Sequence, residues 1–255
     1  MILTDTHTHL YVEQFDDDRE VVIKNAISKN INRFFIPAID STYYPAMIAL
    51  EKKFPNNIFL MAGLHPTHVE ENYMEEFQVI EKLLKTRKFY AIGEIGIDLY
   101  WDKTFLQEQQ DVFKKQIRLA KKSNLPIVIH CREAFDEIFE ILEEERDDKL
   151  YGIFHCFTGT LEQAKTAISY NMKLGIGGVV TFKNGKIDKF LNEIPLSNIV
   201  LETDSPYLAP VPYRGKRNES GYLTNIVEKL VNIYGVLPDD IAKITTQNSK
   251  EVFGI

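Results

Sequence analysis

The stretch TDTHTHLYVEQF, residues 4–15, decides the fold. It closes the first apolar run of the chain, MILTDTH (1–7), and sets His7 and His9 two residues apart before any helix begins. Side chains of a strand alternate between faces, so His7 and His9 share a side with Asp5 below them. An open doubly wound sheet usually carries a glycine-rich phosphate loop after its first strand. THLYVEQF (8–15) contains no glycine. A closed barrel needs no such loop and gathers its polar residues at the C-terminal ends of its strands.

The same unit recurs along the chain: a short apolar or β-branched run, a polar turn, then an amphipathic helix. The runs are MILTDTH (1–7), RFFIPA (33–38), IFLMAG (58–63), YAIGEI (90–95), PIVIHC (126–131), GIFHC (152–156), KLGIGG (173–178) and IVLET (199–203). Between them DDREVVIKNAISKN (17–30) places Val21, Val22, Ala26 and Ile27 on one helical face. QEQQDVFKKQIRLAKKS (107–123) and REAFDEIFEILEEERDD (132–148) repeat the pattern. Strands that alternate with helices pair in parallel through right-handed crossovers. Eight units of about 32 residues fit a closed (β/α)8 TIM barrel of the α/β class, formed as a single domain over residues 1–255.

Composition sets limits. Hydrophobic residues make up 44% of the chain and charged residues 26%, enough apolar material for a large core. No apolar run reaches the ~18 residues of a membrane span, and MILTDTHTHL turns polar too early for a secretory signal. Cys131 and Cys156 are too few for a disulfide framework, so a reduced, cytoplasmic protein is expected. Each follows a candidate ligand histidine and points to the opposite strand face, which makes both core residues. The net charge of −7 argues against broad coating of nucleic acid. It leaves room for a metal-loaded site, because bound cations reverse the local field.

Five of the six histidines fall at expected strand ends or just past them; His68 lies further into a loop. Strand one gives His7 and His9, strand three GLHP with His65, strand four GEIG with Glu94. Strand five gives His130 and Arg132, strand six His155, strand eight Asp204. A lone histidine on a strand is more often a hydrogen-bonded core residue than a ligand. A lone acid at a strand end is usually solvated or caps the next helix. As a set, His7, His9, Glu94, His130, His155 and Asp204 would crowd unpaired polar groups and like charges into one concave mouth. Metal ions resolve both problems. These side chains exceed the ligands of one catalytic ion and suit two, with Glu94 as the bridge. Mixed N/O ligation fits Zn²⁺, Mn²⁺, Fe²⁺, Ni²⁺ or Co²⁺, and Mg²⁺ less well.

The order H-x-H, Glu, His, His, Asp resembles the amidohydrolase superfamily. TDTHTHL (4–10), GLHP (63–66), GEIGIDLYWD (93–102), HCREA (130–134), FHCFTG (154–159), ETDSPYLAP (202–210) and RGKRNE (214–219) together resemble the TatD family of metal-dependent deoxyribonucleases. That resemblance implies one ion on His7, His9 and Asp204, a second on His130 and His155, and Glu94 between them. It places His65, Arg132, Arg214, Lys216 and Arg217 against the phosphates of a DNA substrate, as single-stranded ends trimmed from the 3′ side. Ser220 stands where the family typically has proline, which is expected to loosen that turn. A water on such an ion ionises near neutral pH, with Asp204 as general base and Glu94 as the other catalytic carboxylate.

Tyr100 and Trp101 are placed either to stack a nucleobase or to pack over the rim. Asp5 either orients a ligand histidine or is satisfied by backbone. Asp98 and Glu202 cannot be separated from structural roles. Hydrolysis of an ester or amide, such as a D-aminoacyl-tRNA, is the alternative activity, and a silent metal-binding scaffold the non-enzymatic one. No obligatory protein partner and no membrane contact are expected.

Overall fold

Eight short, largely buried strands form the frame of a computed structural model that describes residues 2–255. Met1, the first residue of the expected strand 1–7, lies outside the described residues. The strands are β1 (Leu3–Asp5), β2 (Ile31–Ile36), β3 (Ile58–Leu60), β4 (Ile92–Asp98), β5 (Ile127–Arg132), β6 (Gly152–Phe154), β7 (Met172–Ile176) and β8 (Ile199–Leu201). All pairings are parallel, in the order β1-β2-β3 and β4-β5-β6-β7-β8. Two seams close the ring. Tyr90 N–H donates to Leu60 O at 2.9 Å and Gly93 N–H to Ala62 O at 2.8 Å between β3 and β4. Thr6 N–H donates to Leu201 O at 2.9 Å and His9 N–H to Ser205 O at 2.7 Å between β1 and β8.

The helices are α1 (Arg19–Ser28), α2 (Tyr44–Lys53), α3 (Tyr73–Thr86), α4 (Leu106–Ser123), α5 (Phe135–Glu144), α6 (Leu161–Ser169), α7 (Leu223–Tyr234) and α8 (Pro238–Phe253). The first six follow β1 to β6 in turn. After β7 no α-helix forms; short 3₁₀ turns fill residues 178–198, and both α7 and α8 follow β8. The repeat is thus less regular than eight equal units. In α1 the buried face also differs from the expected one. Val22, Ile23 and Ala26 are buried, whereas Val21 is 57% exposed.

Strand alternation divides the core. Residues such as Phe34, Ile36, Ile127, Ile129, Ile199 and Leu201 pack outward with the helices in the main cluster. Their neighbours Phe35, Val128, Ile153 and Val200 join Met61 and Ala91 in a separate inner cluster, completed by Val252 and Phe253 of α8. The Phe253 ring stacks on Phe35 with centroids 3.6 Å apart, so the last helix plugs the floor of the barrel. Two residues further along the same strand face, Val128 gives way to His130, Ile153 to His155 and Val200 to Glu202. The period of two therefore carries an apolar floor directly into a polar mouth. Among the described residues no helix is long and apolar enough to cross a membrane.

Candidate metal centre

Glu94 is the hub of the mouth. It was expected at the end of strand four, but β4 continues to Asp98 and Glu94 is its third residue. A register shift between Ile92 and Ile95 turns its side chain into the barrel. Around Oε1 lie His130 Nδ1 at 2.8 Å, His155 Nε2 at 3.1 Å and His65 Nε2 at 3.2 Å. Around Oε2 lie His7 Nε2 at 3.1 Å and His9 Nε2 at 3.6 Å. Asp204 Oδ1 stands 3.8 Å from His7 Nε2 and 3.5 Å from His9 Nε2. The two oxygens of Glu94 thus face two different sets of imidazoles, the arrangement a bridging carboxylate requires.

The donor chemistry fits divalent cations. The Tyr11 hydroxyl donates to Pro37 O at 2.9 Å, so it accepts from His9 Nδ1–H at 3.0 Å. With that hydrogen on Nδ1, Nε2 is the ring nitrogen that faces carboxylate oxygens of Glu94 and Asp204, at 3.6 and 3.5 Å, and is the one that would hold an ion. Acceptors facing acceptors in a buried site repel, and a cation among them turns the repulsion into ligation. The charges agree. Burial lifts the Glu94 carboxyl, but His65, His155, His7 and the hydrogen bond from His130 hold it well below the usual carboxylate range. Asp204 is lifted by burial and brought below its usual value by His9, His155 and His7. Burial lowers His155, yet Glu94 and Glu202 raise it well above the usual range, and His7 is pushed down by burial and by His155. Buried carboxylates here call for positive charge.

Among the described residues three donor groups have ligand atoms within 4.8 Å of one another: His7, His9 and Glu94; His7, His155 and Asp204; and His65, Glu94 and His130. The first holds His7 and His9 with Glu94 but without Asp204, and the second joins His155 to His7 and Asp204, across the expected division. The third draws His130 towards His65 rather than towards His155 alone. Hydrogen positions separate His65 from the ligands. Its Nδ1 accepts from Thr67 N–H at 3.1 Å, so in the neutral ring Nε2 carries the hydrogen that faces Glu94. Burial pushes His65 down to about 4, which keeps the ring neutral at pH 7. It presents a donor to the cleft, not a lone pair.

The other expected residues divide clearly. Arg132 lines the cavity of about 430 Å³ over the centre, together with Trp101, Tyr207 and Leu208. Arg214, Lys216 and Arg217 do not line it. Arg217 is committed elsewhere: its guanidinium pairs with both oxygens of Asp18 at 2.8 and 2.7 Å and with Glu219 at 3.0 Å. Arg214 lies over the Phe182 ring, and Lys216 is exposed. The family resemblance sets these three cations against the phosphates; in the structure Arg217 is paired with carboxylates and Arg214 lies over a ring, outside the cavity. Ser220 does not loosen its turn. It is fully buried, with its hydroxyl 3.3 Å from Thr8 Oγ1. A larger surface cleft, about 570 Å³ between α1 and α2, is lined by mutually paired charges such as Arg19 with Asp16 and Lys24 with Glu20.

Asp5 follows the backbone alternative. It accepts from Thr203 N–H at 2.9 Å and Thr203 hydroxyl at 2.7 Å, and no ligand ring reaches it. The cysteines are half-buried rather than fully so, and neither joins a donor group. Burial raises the Cys131 thiol to about 12, which disfavours a thiolate. Asp98 and Glu202, unresolved from sequence, both stand behind imidazoles. Asp98 Oδ2 is 2.9 Å from His130 Nε2, and Glu202 Oε1 is 3.2 Å from His155 Nδ1. Period two would have found them, in the inward series Glu94-Gly96-Asp98 and Val200-Glu202-Asp204.

The family model for TatD-related DNases matches residues 4–254. The chain belongs to the TatD family. It is 41% identical to the metal-dependent hydrolase YabD of Bacillus subtilis, over all of both chains. It is 30% identical to the metal-dependent hydrolase YcfH of Escherichia coli K12, over 100% of this chain and 97% of that one. The crystal structure of YjjV, a TatD homologue from Escherichia coli K12, superposes with a TM-score of 0.93 at 26% identity, covering 99% of this chain and 98% of that one. The TatD-family chain is thus a metal-dependent hydrolase with a TIM-barrel fold.

Proposed function

We propose that this TatD-family hydrolase cleaves phosphodiester bonds of single-stranded DNA from a free 3′ end, using two divalent ions held by His7, His9, Glu94, His130, His155 and Asp204. The single observation that carries the reading is the division of Glu94, Oε2 towards His7 and His9 and Oε1 towards His130 and His155, beneath a cleft lined by Arg132, which rests on the Tyr100 ring and pairs with no carboxylate among the described residues. When bound, such ions act as Lewis acids and bring a coordinated water within reach of ionisation near neutral pH. Asp204, held ionised by His9 and His155, accepts the proton of the attacking water. His65 Nε2–H donates to a non-bridging phosphoryl oxygen as charge builds there. Arg132 faces the neighbouring phosphate. A single barrel unit over residues 1–255 in the cytoplasm completes the reading.

The test is 5′-labelled single-stranded DNA incubated with the protein and added Mn²⁺ or Zn²⁺. A ladder growing from the 3′ end supports the proposal. Glu94→Gln should lose turnover together with bound metal by elemental analysis, and His65→Ala should lose about 10²-fold in kcat. Arg132→Ala should raise KM and lower the salt slope of binding by about one charge, whereas Lys216→Ala should change neither. Metal-dependent turnover of an ester or amide, such as a D-aminoacyl-tRNA, with inert DNA would overturn the nuclease reading and leave the hydrolase intact.

A further inference from the structure

We propose that Asp98 is a positioning residue that fixes two parts of the site at once: the His130 ring, with Nδ1 presented to the centre, and the Tyr100–Trp101 turn at the rim. The proposal rests on the reading of His130 as a ligand. Asp98 is 1% exposed and lies on the inner face of β4, level with Arg132 of β5. Its backbone is anchored from α4, where Gln109 Oε1 accepts its N–H at 3.0 Å.

Each carboxylate oxygen has its own partner set. Oδ2 lies 2.9 Å from His130 Nε2. Oδ1 accepts Tyr100 N–H at 2.9 Å and Trp101 N–H at 3.2 Å. A carboxylate only accepts, so the Nε2 hydrogen points to Asp98, and Nδ1, 2.8 Å from Glu94 Oε1, is the nitrogen that faces the centre and would release its hydrogen to hold an ion; this is how a carboxylate behind a ligating histidine sets tautomer and ring orientation. The other oxygen holds the turn whose rings carry Arg132, with the guanidinium 3.7 Å from the Tyr100 ring centroid and 5.3 Å from that of Trp101. A shift of Asp98 therefore moves one ligand and the rim cation together. Trp101, the single tryptophan of the chain and 69% exposed, reports on that rim by its emission.

Asp98→Asn separates the two duties. Its amide oxygen can still accept from the turn, but its NH₂ faces His130 Nε2. Two donors cannot face each other, so the ring rotates or moves its hydrogen to Nδ1, which blocks the ligand atom. With circular dichroism unchanged, a calorimetric Mn²⁺ titration should show one ion weakened on the order of 10–100-fold and the other retained. Ring ¹⁵N NMR should show His130 leaving its Nε2–H tautomer. Asp98→Ala should also release the turn and shift Trp101 emission to the red. His130→Ala distinguishes the failures. If it binds both ions as the wild type does, the ligand reading fails. If it loses an ion while Asp98→Asn keeps both at wild-type affinity, the positioning of His130 is overturned on its own. Unchanged Trp101 emission in Asp98→Ala overturns the link to the rim.

Discussion

The floor and the mouth of the barrel solve the same backbone problem with different residues. Both ends contain residues with left-handed φ. Where helices hand over to strands at the floor, those positions are Asn30, Asn124 and Asn171, with φ of 65°, 53° and 60°. Asparagine tolerates that region because its short side chain bonds locally. At the mouth the positions are Glu133, Cys156, Asp204 and Leu208, with φ of 56°, 44°, 57° and 55°. Three of these gain nothing from the conformation, which costs of order 1–3 kcal/mol each. The floor is apolar, relaxed and plugged by α8. The mouth holds buried charge and strained backbone directly after the site residues Arg132, His155 and Thr203-Asp204. Stability resides in one end and function in the other, separated by only two residues along each strand.

The floor should therefore give the largest stability effect and no site effect. Phe253→Ala removes a ring stacked on Phe35 and opens a cavity that α8 cannot refill. A loss of roughly 3–5 kcal/mol in urea unfolding is expected. Divalent-ion affinity of the folded variant should match the wild type; a shared loss would erase the separation of the two ends.

Gly175→Ala probes the boundary between them. A Cβ there would lie 2.1 Å from Glu202 Oε2 and 3.2 Å from the Cα of His155. Glu202 is fully buried, so it must leave His155 Nδ1 and the Cys156 N–H that it accepts at 2.6 Å. The expected cost is about 2–3 kcal/mol of stability, with a fall in metal affinity of about tenfold or more. Stability loss with intact affinity would show that His155 does not depend on Glu202.

Asp5 belongs to the mouth by position and to the scaffold by its bonds. Burial raises its carboxyl to about 7, against the hydrogen bonds from Thr203 and Ser220. The folded state therefore keeps a proton that the unfolded chain releases near pH 4. Its contribution to stability is fully present below about pH 4 and is lost as pH rises through about 7. Asp5→Asn should flatten the decline of Tm over that window. A decline of the same slope in the variant would assign it to other groups.

Much of this was legible in sequence because strands report their inward residues every second position. The eight strands and the six donors follow from that rule and from the crossover pattern. It gave Glu94 but not the length of its strand: β4 runs on to Asp98 past a register shift between Ile92 and Ile95, and no periodicity signals a bulge. Strand alternation says nothing of Arg217, which the family resemblance set at the phosphates; its partner Asp18 is 199 positions away in sequence, so a run of charge gives no sign that the cation is already paired. Residues 178–198 broke the repeat because strand and helix patterns say where an element is possible, not whether a 3₁₀ chain of similar length fills the same gap. Asp98 and Glu202 were readable in principle. Each lies in the alternating series of an inward strand, but a single carboxylate carries no sign that an imidazole stands in front of it.

The smallest effect is the sharpest test of the contrast. Leu208 holds φ of 55° at the cleft while its side chain is 41% exposed, so little apolar burial depends on it. Its carbonyl oxygen packs where a Cβ on Gly178 would stand 2.0 Å away, which holds the backbone in place from the other side. Leu208→Gly relieves the left-handed penalty and adds freedom to the unfolded chain, for a net gain of roughly 0.5–1 kcal/mol. Asn124→Gly, at the C-cap of α4 with φ of 53°, starts from a residue that already accepts the conformation. Its change should stay within about 0.5 kcal/mol. A higher urea midpoint for the first variant and not for the second confirms that strain is stored at the mouth alone. Equal responses would mean that the left-handed positions of the two ends are equivalent, and that their different residues reflect what the side chains do rather than what the backbone needs.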